Sequence, residues 1–240
     1  MKDMIKREII LSERMQMVAN MVTKGNILAD IGCDHGFVSI YMIENGICPK
    51  VIAMDVNEGP LCRAREHISE RSLTPYIDVR LSDGMEKLLL GEADSILIAG
   101  MGGRLVIKIL TDCMDKAKEL NEIILQPQSE LHLVRQFLTD FGFHILQEDM
   151  VKDNGKFYPA MRVVWKEKKA QPLTEEELWY GPCLLKEKNP VLQEYLKNEK
   201  AKYIQIAEDI INNGNNTDKS KEEAVQSRQS LIDTALAYFD

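Results

Sequence analysis

Features that mark membrane and exported proteins are missing from this sequence of 240 residues. No run of about 18 apolar residues is present to span a bilayer. The first residues, Met1 to Arg7, include basic side chains but lack the apolar stretch and small-residue cleavage site of an export signal. We therefore expect a soluble, cytoplasmic protein without a membrane partner.

Paired cysteines and clustered histidines are also missing. The five cysteines form no C-x-x-C pair and are odd in number, which argues against both a zinc site and a disulfide framework. His67, His132 and His144 are dispersed and show no metal-ligand spacing. We expect reduced thiols and no metal.

Positive charge is scarce, because 30 Lys and Arg residues face 38 Asp and Glu residues and leave a net charge of -8. Phosphate binding normally comes from clustered basic side chains, so an RNA partner would have to bind a local patch. The alternative is scattered, solvated surface charge. The candidates for a patch are Lys2, Lys6, Arg7, Arg14, Arg104 and Lys108.

Short β-branched runs alternate with helical segments from Asn26 to about Trp165, a pattern typical of a parallel sheet built from βαβ units. The predicted strands are Asn26 to Ile31, Val51 to Asp55, Ile77 to Leu81, Ser95 to Ala99, Glu122 to Gln126, Phe143 to Met150 and Phe157 to Trp165. The predicted helices between them are Phe37 to Asn45, Gly59 to Arg71, Arg104 to Leu120 and Ser129 to Phe141.

The last two strands are joined by Lys152 to Lys156, which is too short for a crossover helix and contains an Asn-Gly pair. The final strand should therefore run antiparallel. The fold class is α/β, a Rossmann-like parallel sheet that ends in an antiparallel hairpin.

Helical segments flank the predicted sheet. Leu11 to Val22 reads as an amphipathic helix with Ser12 as its N-cap. After the linker that begins near Glu167, heptad-like apolar spacing and a polar turn at residues 212–218 predict a helical, coiled-coil hairpin. We divide the chain into a sheet domain, residues 1–168, and a C-terminal helical domain, residues 169–240.

The first strand leads into a glycine turn that carries acids, Asp30-Ile31-Gly32-Cys33-Asp34-His35-Gly36. Glycines there let the backbone come close to a ligand, although a plain structural turn explains them as well. Asp55 ends the next strand about 20 residues on, where a carboxylate can accept from both ribose hydroxyls. The two features together indicate an adenosine cofactor.

An acid, Asp34, stands where a pyrophosphate-binding loop has its second glycine. A carboxylate there would repel phosphates. S-adenosylmethionine has no phosphate and carries an ammonium and a sulfonium, so Asp30 and Asp34 suit it better than they suit NAD.

Three further strand ends carry candidate residues. Asp83-Gly84 follows the third strand, where the carboxylate can accept from an adenine amino group; a surface Asp-Gly turn is the alternative. Gly100-Met101-Gly102-Gly103 follows the fourth strand and should border the cofactor and a target base. Gln126-Pro127-Gln128 follows the fifth, where two amides can read base edges or a simple turn can precede a helix.

Together and in this order, these motifs closely resemble those of a bacterial family, the tRNA (adenine-N1) methyltransferases that modify adenine 22 of tRNA. The resemblance covers nearly the whole chain, including Leu11-Ser12-Glu13-Arg14 and the C-terminal helices. It implies a class I methyltransferase that uses S-adenosylmethionine, releases S-adenosylhomocysteine and acts on folded tRNA.

The resemblance implies a cofactor site of Asp30, Gly32, Asp34, His35, Asp55, Val56, Asp83, Gly84, Gly100, Met101 and Gly102. The candidates for substrate binding are Arg14, Gly103, Arg104, Gln126 and Gln128.

Adenine N1 has an available lone pair, so transfer needs in-line alignment more than an activated nucleophile. Asp34 is the candidate catalytic residue, because a carboxylate that accepts from the exocyclic amine would stabilise the developing positive charge. The alternative, with equal support from the sequence, is that Asp34 binds only the ammonium group of the cofactor. His35 is either a proton acceptor or a structural hydrogen-bonding residue.

Three questions stay open at this stage. The C-terminal hairpin either grips tRNA or serves packing and dimerisation, and we expect a monomer. A methyltransferase for a small molecule or a protein would fit the acidic charge better. A cofactor-binding RNA chaperone without catalysis is a third hypothesis.

Overall fold

A computed structural model describes residues 8–168, 170–212 and 219–240. Within these ranges the chain forms seven strands and ten α-helices. The strands are β1 (Leu28–Ile31), β2 (Val51–Asp55), β3 (Ile77–Leu81), β4 (Ser95–Ala99), β5 (Glu122–Gln126), β6 (Phe143–Asp153) and β7 (Lys156–Trp165). The helices are α1 (Glu13–Met21), α2 (Phe37–Glu44), α3 (Glu58–Glu70), α4 (Gly103–Asp112), α5 (Met114–Glu119), α6 (Leu131–Asp140), α7 (Glu175–Tyr180), α8 (Pro182–Lys186), α9 (Pro190–Asn212) and α10 (Lys219–Leu236).

The strands form one sheet in the order β3-β2-β1-β4-β5-β7-β6. β1 to β5 pair in parallel, and β7 runs antiparallel to both β5 and β6. Asn154 and Gly155 both have positive φ, 49° and 78°, as the tight turn of a hairpin requires. The predicted fold class is confirmed, including the antiparallel final strand.

Apolar side chains cover both faces of the sheet. Along β1, Leu28 belongs to one buried cluster and Ala29 to the other, because alternate strand residues point to opposite faces. Helices α1, α2 and α3 pack on the first face, and α4 and α6 pack on the second. In a parallel sheet covered by helices on both faces, ligands bind in a crevice at the carboxyl ends of the strands.

One predicted helix is wrong in its extent. The segment Arg104 to Leu120 is broken at Cys113, whose ψ of 37° is not helical, so that α4 and α5 are separate. No glycine or proline signals this break. Tertiary contacts accompany it, since Lys116 of α5 donates to the carbonyls of Met85 and Glu86 at 3.0 and 2.8 Å.

Other boundaries shift by a few residues. Asn26 and Ile27 precede β1 instead of belonging to it, and Ile27 donates its N–H to the Asp94 carboxylate at 2.8 Å. β6 continues to Asp153 because the hairpin pairs up to its turn. Ser12 stands at the N-cap of α1, but its side chain makes no capping hydrogen bond.

The C-terminal helices share a third buried cluster, which also includes Met150 of β6. Lys200 of α9 pairs with Asp233 of α10, and the Tyr203 carbonyl, further along α9, accepts from Gln229, nearer the start of α10, so the two helices are antiparallel. Of the turn predicted at residues 212–218, residues 213–218 lie outside the described residues, as do Lys2, Lys6 and Arg7, and Asn212 ends α9. The domain boundary at 168 stays a prediction. In the three described ranges, no helix combines the length and the apolar content needed to cross a membrane.

A buried ion pair joins the sheet domain to α7 and α8. Arg135 of α6 donates to Glu148 of β6 at 2.8 Å, and both side chains are at most 1% exposed. The Arg135 guanidinium also donates to the carbonyls of Leu178 and Trp179. Glu148 in turn accepts from the backbone N–H of Cys183. Both members of the pair thus have further hydrogen-bond partners, and the pair connects four elements, α6, β6, α7 and α8.

Candidate active site

A cleft of about 490 Å³ opens at the carboxyl ends of β1, β2, β3 and β4. This volume is in the range of ligand sites. The predicted residues that line it are Arg14, Asp30, Gly32, Asp34, Asp55, Val56, Asp83, Gly84, Gly100, Met101 and Gln128. The predicted residues that do not line it are His35, Gly102, Gly103, Arg104 and Gln126.

Asp30 is the buried acid of the cleft, with 5% of its surface exposed. It accepts a hydrogen bond of 2.7 Å from the Ser39 hydroxyl of α2. Burial raises the pKa of Asp30 to about 6, against the lowering effect of the Ser39 hydrogen bond, and the nearby Asp55 charge raises it further. Asp30 therefore holds its charge at neutral pH but loses it in mild acid.

The turn after β1 has left-handed backbone conformations. Gly32 and Gly36 have φ of 77° and 74°, and Asp34 has φ of 50°, which is uncommon for a residue with a side chain. The side chain of Asp34 is 70% exposed. Backbone strain of this kind is frequent at functional sites. The strained turn presents the Asp34 carboxylate at the mouth of the cleft.

Asp55 at the end of β2 ties this turn to the next one. Its carboxylate accepts from the N–H of Asp34 at 3.3 Å and from the N–H of Asn57 at 2.9 Å. An ionised carboxylate has about four acceptor positions. Two donors leave acceptor capacity for the vicinal hydroxyls of a ribose.

The turn after β3 is held by Ser82. The Ser82 backbone N–H bonds to the Asp55 carbonyl at 2.9 Å, and its hydroxyl donates to the Gly84 carbonyl at 3.0 Å. Gly84 has φ of 52°, and a Cβ there would lie 3.0 Å from the side chain of Ile109. Asp83 and Gly84 therefore line the cleft on a turn whose backbone favours glycine at position 84.

Arg14 enters the cleft from α1 and lies beside Gly100 and Gln128. A Cβ on Gly100 would be 3.8 Å from Arg14 Nη1 and 3.7 Å from Gln128 Nε2. Gln126, which is fully buried, accepts from Arg14 Nη1 at 3.2 Å and donates to the Arg14 carbonyl at 3.0 Å. The Gln126 amide thus binds Arg14, and Gln128 is the amide that lines the cleft.

The remaining predicted residues lie around the cleft. Gly103 begins α4 and donates to Ser129 Oγ at 3.2 Å; a Cβ there would collide with the Ser129 carbonyl. Arg104 points to solvent, 78% exposed, and pairs with Glu130. His35 borders a neighbouring cavity, and its Nε2 lies 3.6 Å from the Asp34 carboxylate.

The sequence motifs did not indicate several apolar and small residues of the cleft wall. Leu105 and Ile109 of α4 are four residues apart, so they share the helix face that closes the cleft. Their spacing next to the glycine run was the available signal. Cys33 also lines the cleft, but its thiol is neutral because burial raises its pKa well above the usual range. The complete set missed is Met15, Ile31, Cys33, Val38, Asn57, Pro60, Ser82, Ala99, Leu105 and Ile109.

Charge decides which ligand the cleft suits. Its lining carries four carboxylates, those of Asp30, Asp34, Asp55 and Asp83, and one cation, Arg14. Such a lining disfavours a pyrophosphate and fits an adenosine compound with positive groups. Among the described residues, no group of three or more His, Cys, Asp or Glu side chains is arranged to hold a metal ion. Sheet order and acidic cleft together define a Rossmann-like methyltransferase domain.

Comparisons with known proteins agree. The family profile described as Methyltransferase domain matches residues 11–161. The curated tRNA (adenine(22)-N(1))-methyltransferase of Bacillus subtilis (strain 168) is 32% identical over 208 residues, which are 84% of this chain and 87% of that protein. The chain belongs to the tRNA (adenine(22)-N(1))-methyltransferase family, and the resemblance read from its motifs is confirmed.

Solved structures extend the similarity to the whole fold. A putative tRNA (m1A22) methyltransferase of Streptococcus pneumoniae, in complex with S-adenosyl-L-methionine, has a TM-score of 0.84 at 30% identity and covers 95% of this chain and 100% of that one. The structure of M. capricolum TrmK in complex with S-adenosyl-homocysteine has a TM-score of 0.82 at 26% identity and covers 96% of this chain and 99% of that one.

Proposed function

We propose that this chain transfers a methyl group from S-adenosylmethionine to N1 of adenine 22 in tRNA. The observation that carries the proposal is the acidic cleft at the carboxyl ends of β1 to β4, in a chain that is similar to tRNA m1A22 methyltransferases along most of its length. Because tRNA is its substrate, we place the enzyme in the cytoplasm. Its monomeric state stays a prediction.

The cleft residues divide the binding of the cofactor among them. When bound, S-adenosylmethionine supplies a methyl group activated by a sulfonium. The Asp30 carboxylate faces the cleft beside Gly32 and suits the ammonium group; Asp55 suits the ribose hydroxyls, and Asp83 the adenine amino group. The turns at Val56, Gly84, Gly100 and Met101 complete the lining.

The acceptor end of the cleft is formed by Arg14, Gly100 and Gln128. Gln126 holds the Arg14 side chain and is therefore a positioning residue. Adenine N1 needs no deprotonation, so alignment of the base is the main contribution of these groups. Roles for His35, Gly102, Gly103 and Arg104 stay predictions.

Asp34 faces both the cleft and the neighbouring cavity. That position favours a contact with the acceptor, where its carboxylate accepts from the exocyclic amine and stabilises the cationic product. We expect Asp34→Asn to lower kcat at least about tenfold and to leave the cofactor Kd within a factor of three. A change in Kd with kcat retained would assign Asp34 to the cofactor's ammonium instead.

The test is methylation of unmodified tRNA with labelled cofactor, followed by mass spectrometry of the nucleosides. We expect N1-methyladenosine at position 22 and no product from a tRNA with guanine there. Asp55→Asn should lose activity, whereas Asp233→Asn, an exposed acid of α10 paired with Lys200, should keep it. Absence of N1-methyladenosine, or methyl transfer only to small molecules or proteins, would refute the proposal.

A further inference from the structure

A second cavity, of about 460 Å³, adjoins the cofactor cleft. It lies between the segment before α1 and the start of α2, and its walls include Leu11, Ser12 and Phe37. The two spaces share Arg14 and Asp34. A ligand that reaches the acceptor end of the cleft therefore has this cavity beside it.

Two aromatic rings line this cavity, those of His35 and Phe37, and the ring of His67 packs against both; we call the three rings the ring cluster. The ring centroids are 5.0 to 6.0 Å apart, and the planes lie within 27° of one another. Near-parallel rings at such separations are offset and not stacked face to face. His67 Nδ1 is 3.1 Å from the His35 carbonyl, which holds the cluster together.

Phe37 is not part of the core. It is 45% exposed, whereas Val38 and Ile40 on the same helix are buried under the sheet. The helix thus packs through those neighbours and leaves the phenyl ring to solvent at the mouth of the cavity. The Phe37 ring therefore offers an exposed apolar surface beside the cavity.

We propose that the ring cluster stacks on an unpaired nucleobase of the substrate RNA that flanks the acceptor adenine. The inference rests on the proposed function, because the cofactor cleft is where the acceptor must lie. A nucleobase has apolar faces and polar edges. The cavity matches both, with Phe37 and Leu11 as apolar wall and Ser12 and Asp34 as polar groups. Arg14, shared with the cleft, supplies positive charge for the adjoining phosphate.

The experiment measures tRNA methylation by Phe37→Ala, Phe37→Leu and Phe37→Tyr. We expect Phe37→Ala to raise the KM for tRNA by about 5- to 150-fold, the loss of one base stack, with kcat and cofactor Kd changed less than about twofold. Phe37→Leu should behave like Phe37→Ala, and Phe37→Tyr should restore the KM. Tyr76→Ala is the matched control, since Tyr76 is 50% exposed and precedes β3 at the opposite end of the sheet.

Several outcomes would overturn the inference. An unchanged KM in Phe37→Ala, or full activity in Phe37→Leu, would exclude stacking. An equal loss of cofactor affinity would assign Phe37 to the cofactor site, and a changed oligomeric state in size-exclusion chromatography would assign it to a contact between copies. If the wild-type protein methylates no tRNA, both the proposed function and this inference are refuted. If the wild type is active and Phe37→Ala has an unchanged KM for tRNA, only the inference is refuted.

Discussion

The charge of the buried Asp30 at neutral pH lowers the stability of the folded chain. Its pKa of about 6 lies above the ordinary value of 3.8 because burial disfavours the ionised form. Between these two values the folded state binds a proton more tightly than the unfolded state does. The contribution of protonated Asp30 to the free energy of unfolding is therefore complete below pH 3.8 and is lost as the pH rises through about 6.

We expect Asp30→Asn to stabilise the cofactor-free protein at pH 7.5, by at most about 3 kcal/mol. The gain should shrink as the pH falls below 6 toward 4. Urea denaturation of both proteins across this pH range measures it. The same variant should bind S-adenosylhomocysteine more weakly in calorimetry. An unstabilised Asp30→Asn at pH 7.5 would show that Asp30 carries no burial penalty.

The Asp55 carboxylate accepts hydrogen bonds from the backbone N–H groups of Asp34 and Asn57 and is proposed to bind the ribose hydroxyls. Asp55→Ala removes the acceptor for the Asp34 N–H and for the ribose hydroxyls, each charge-assisted hydrogen bond being worth about 1.5 to 3 kcal/mol. We expect cofactor affinity to fall at least tenfold in calorimetry. Unchanged affinity would remove Asp55 from the site.

The acids and glycines that the sequence singled out near the strand ends lie in one cleft, because the carboxyl ends of parallel strands meet at the same edge of a sheet. Their roles in binding stay predictions. Gln126 shows where such prediction ends. Its amide is occupied by Arg14, which is 112 positions away in sequence. No local sequence pattern reveals a pair at that distance. The sequence therefore does not show that Gln126 binds Arg14 while Gln128 lines the cleft.

At the scale of elements, the strands β2 to β5 begin and end where predicted. The cores of β2, β4 and β5 are apolar runs, and β3 alternates apolar with charged residues, the period of a strand with one exposed face. The break between α4 and α5 was not predictable in the same way. Cys113 has no helix-breaking chemistry, and the reach of Lys116 to the carbonyls of Met85 and Glu86 is a tertiary contact. Local propensity is overridden there by packing.

The Arg135–Glu148 pair attaches α7 and α8 to the sheet, so breaking it should be costly. We expect Glu148→Ala to lower the free energy of unfolding by about 3 to 5 kcal/mol, because it leaves a buried guanidinium unpaired. Lys152–Glu194 is the matched control, an ion pair between β6 and α9 with more than 40% of each side chain exposed. Glu194→Ala should cost less than about 1 kcal/mol. Equal losses in urea denaturation would contradict the assignment.

At the scale of the whole molecule, the predicted boundary at residue 168 does not imply independent unfolding. Met150 of β6 lies in the buried cluster of the C-terminal helices. Trp179 of α7 is stacked on His132 of α6, at 4.0 Å between centroids, and lies 3.9 Å from the Arg228 guanidinium of α10. These contacts couple the helices to the sheet.

The chain has two tryptophans, one on each side of that boundary. Trp165→Phe leaves Trp179 as the fluorescent reporter of the C-terminal helices, and Trp179→Phe leaves Trp165 as the reporter of the sheet. We expect both reporters to give the same unfolding midpoint once each variant's own change in stability is taken into account. Circular dichroism of each protein should show one transition that coincides with its fluorescence. Fluorescence and circular dichroism midpoints that differ within one variant would show two separately folding domains.

The position of β7 determines the order in which the sheet can be completed. β6 is synthesised before β7, yet the two sheet neighbours of β7 are β5 and β6, and β6 pairs with β7 alone. Until Trp165 has left the ribosome, β5 presents an open edge of unpaired backbone groups to the surrounding medium. The hairpin must then join that edge as a unit. The nascent chain is consequently most exposed to wrong pairing after Gln126 and before Trp165 has emerged from the ribosome.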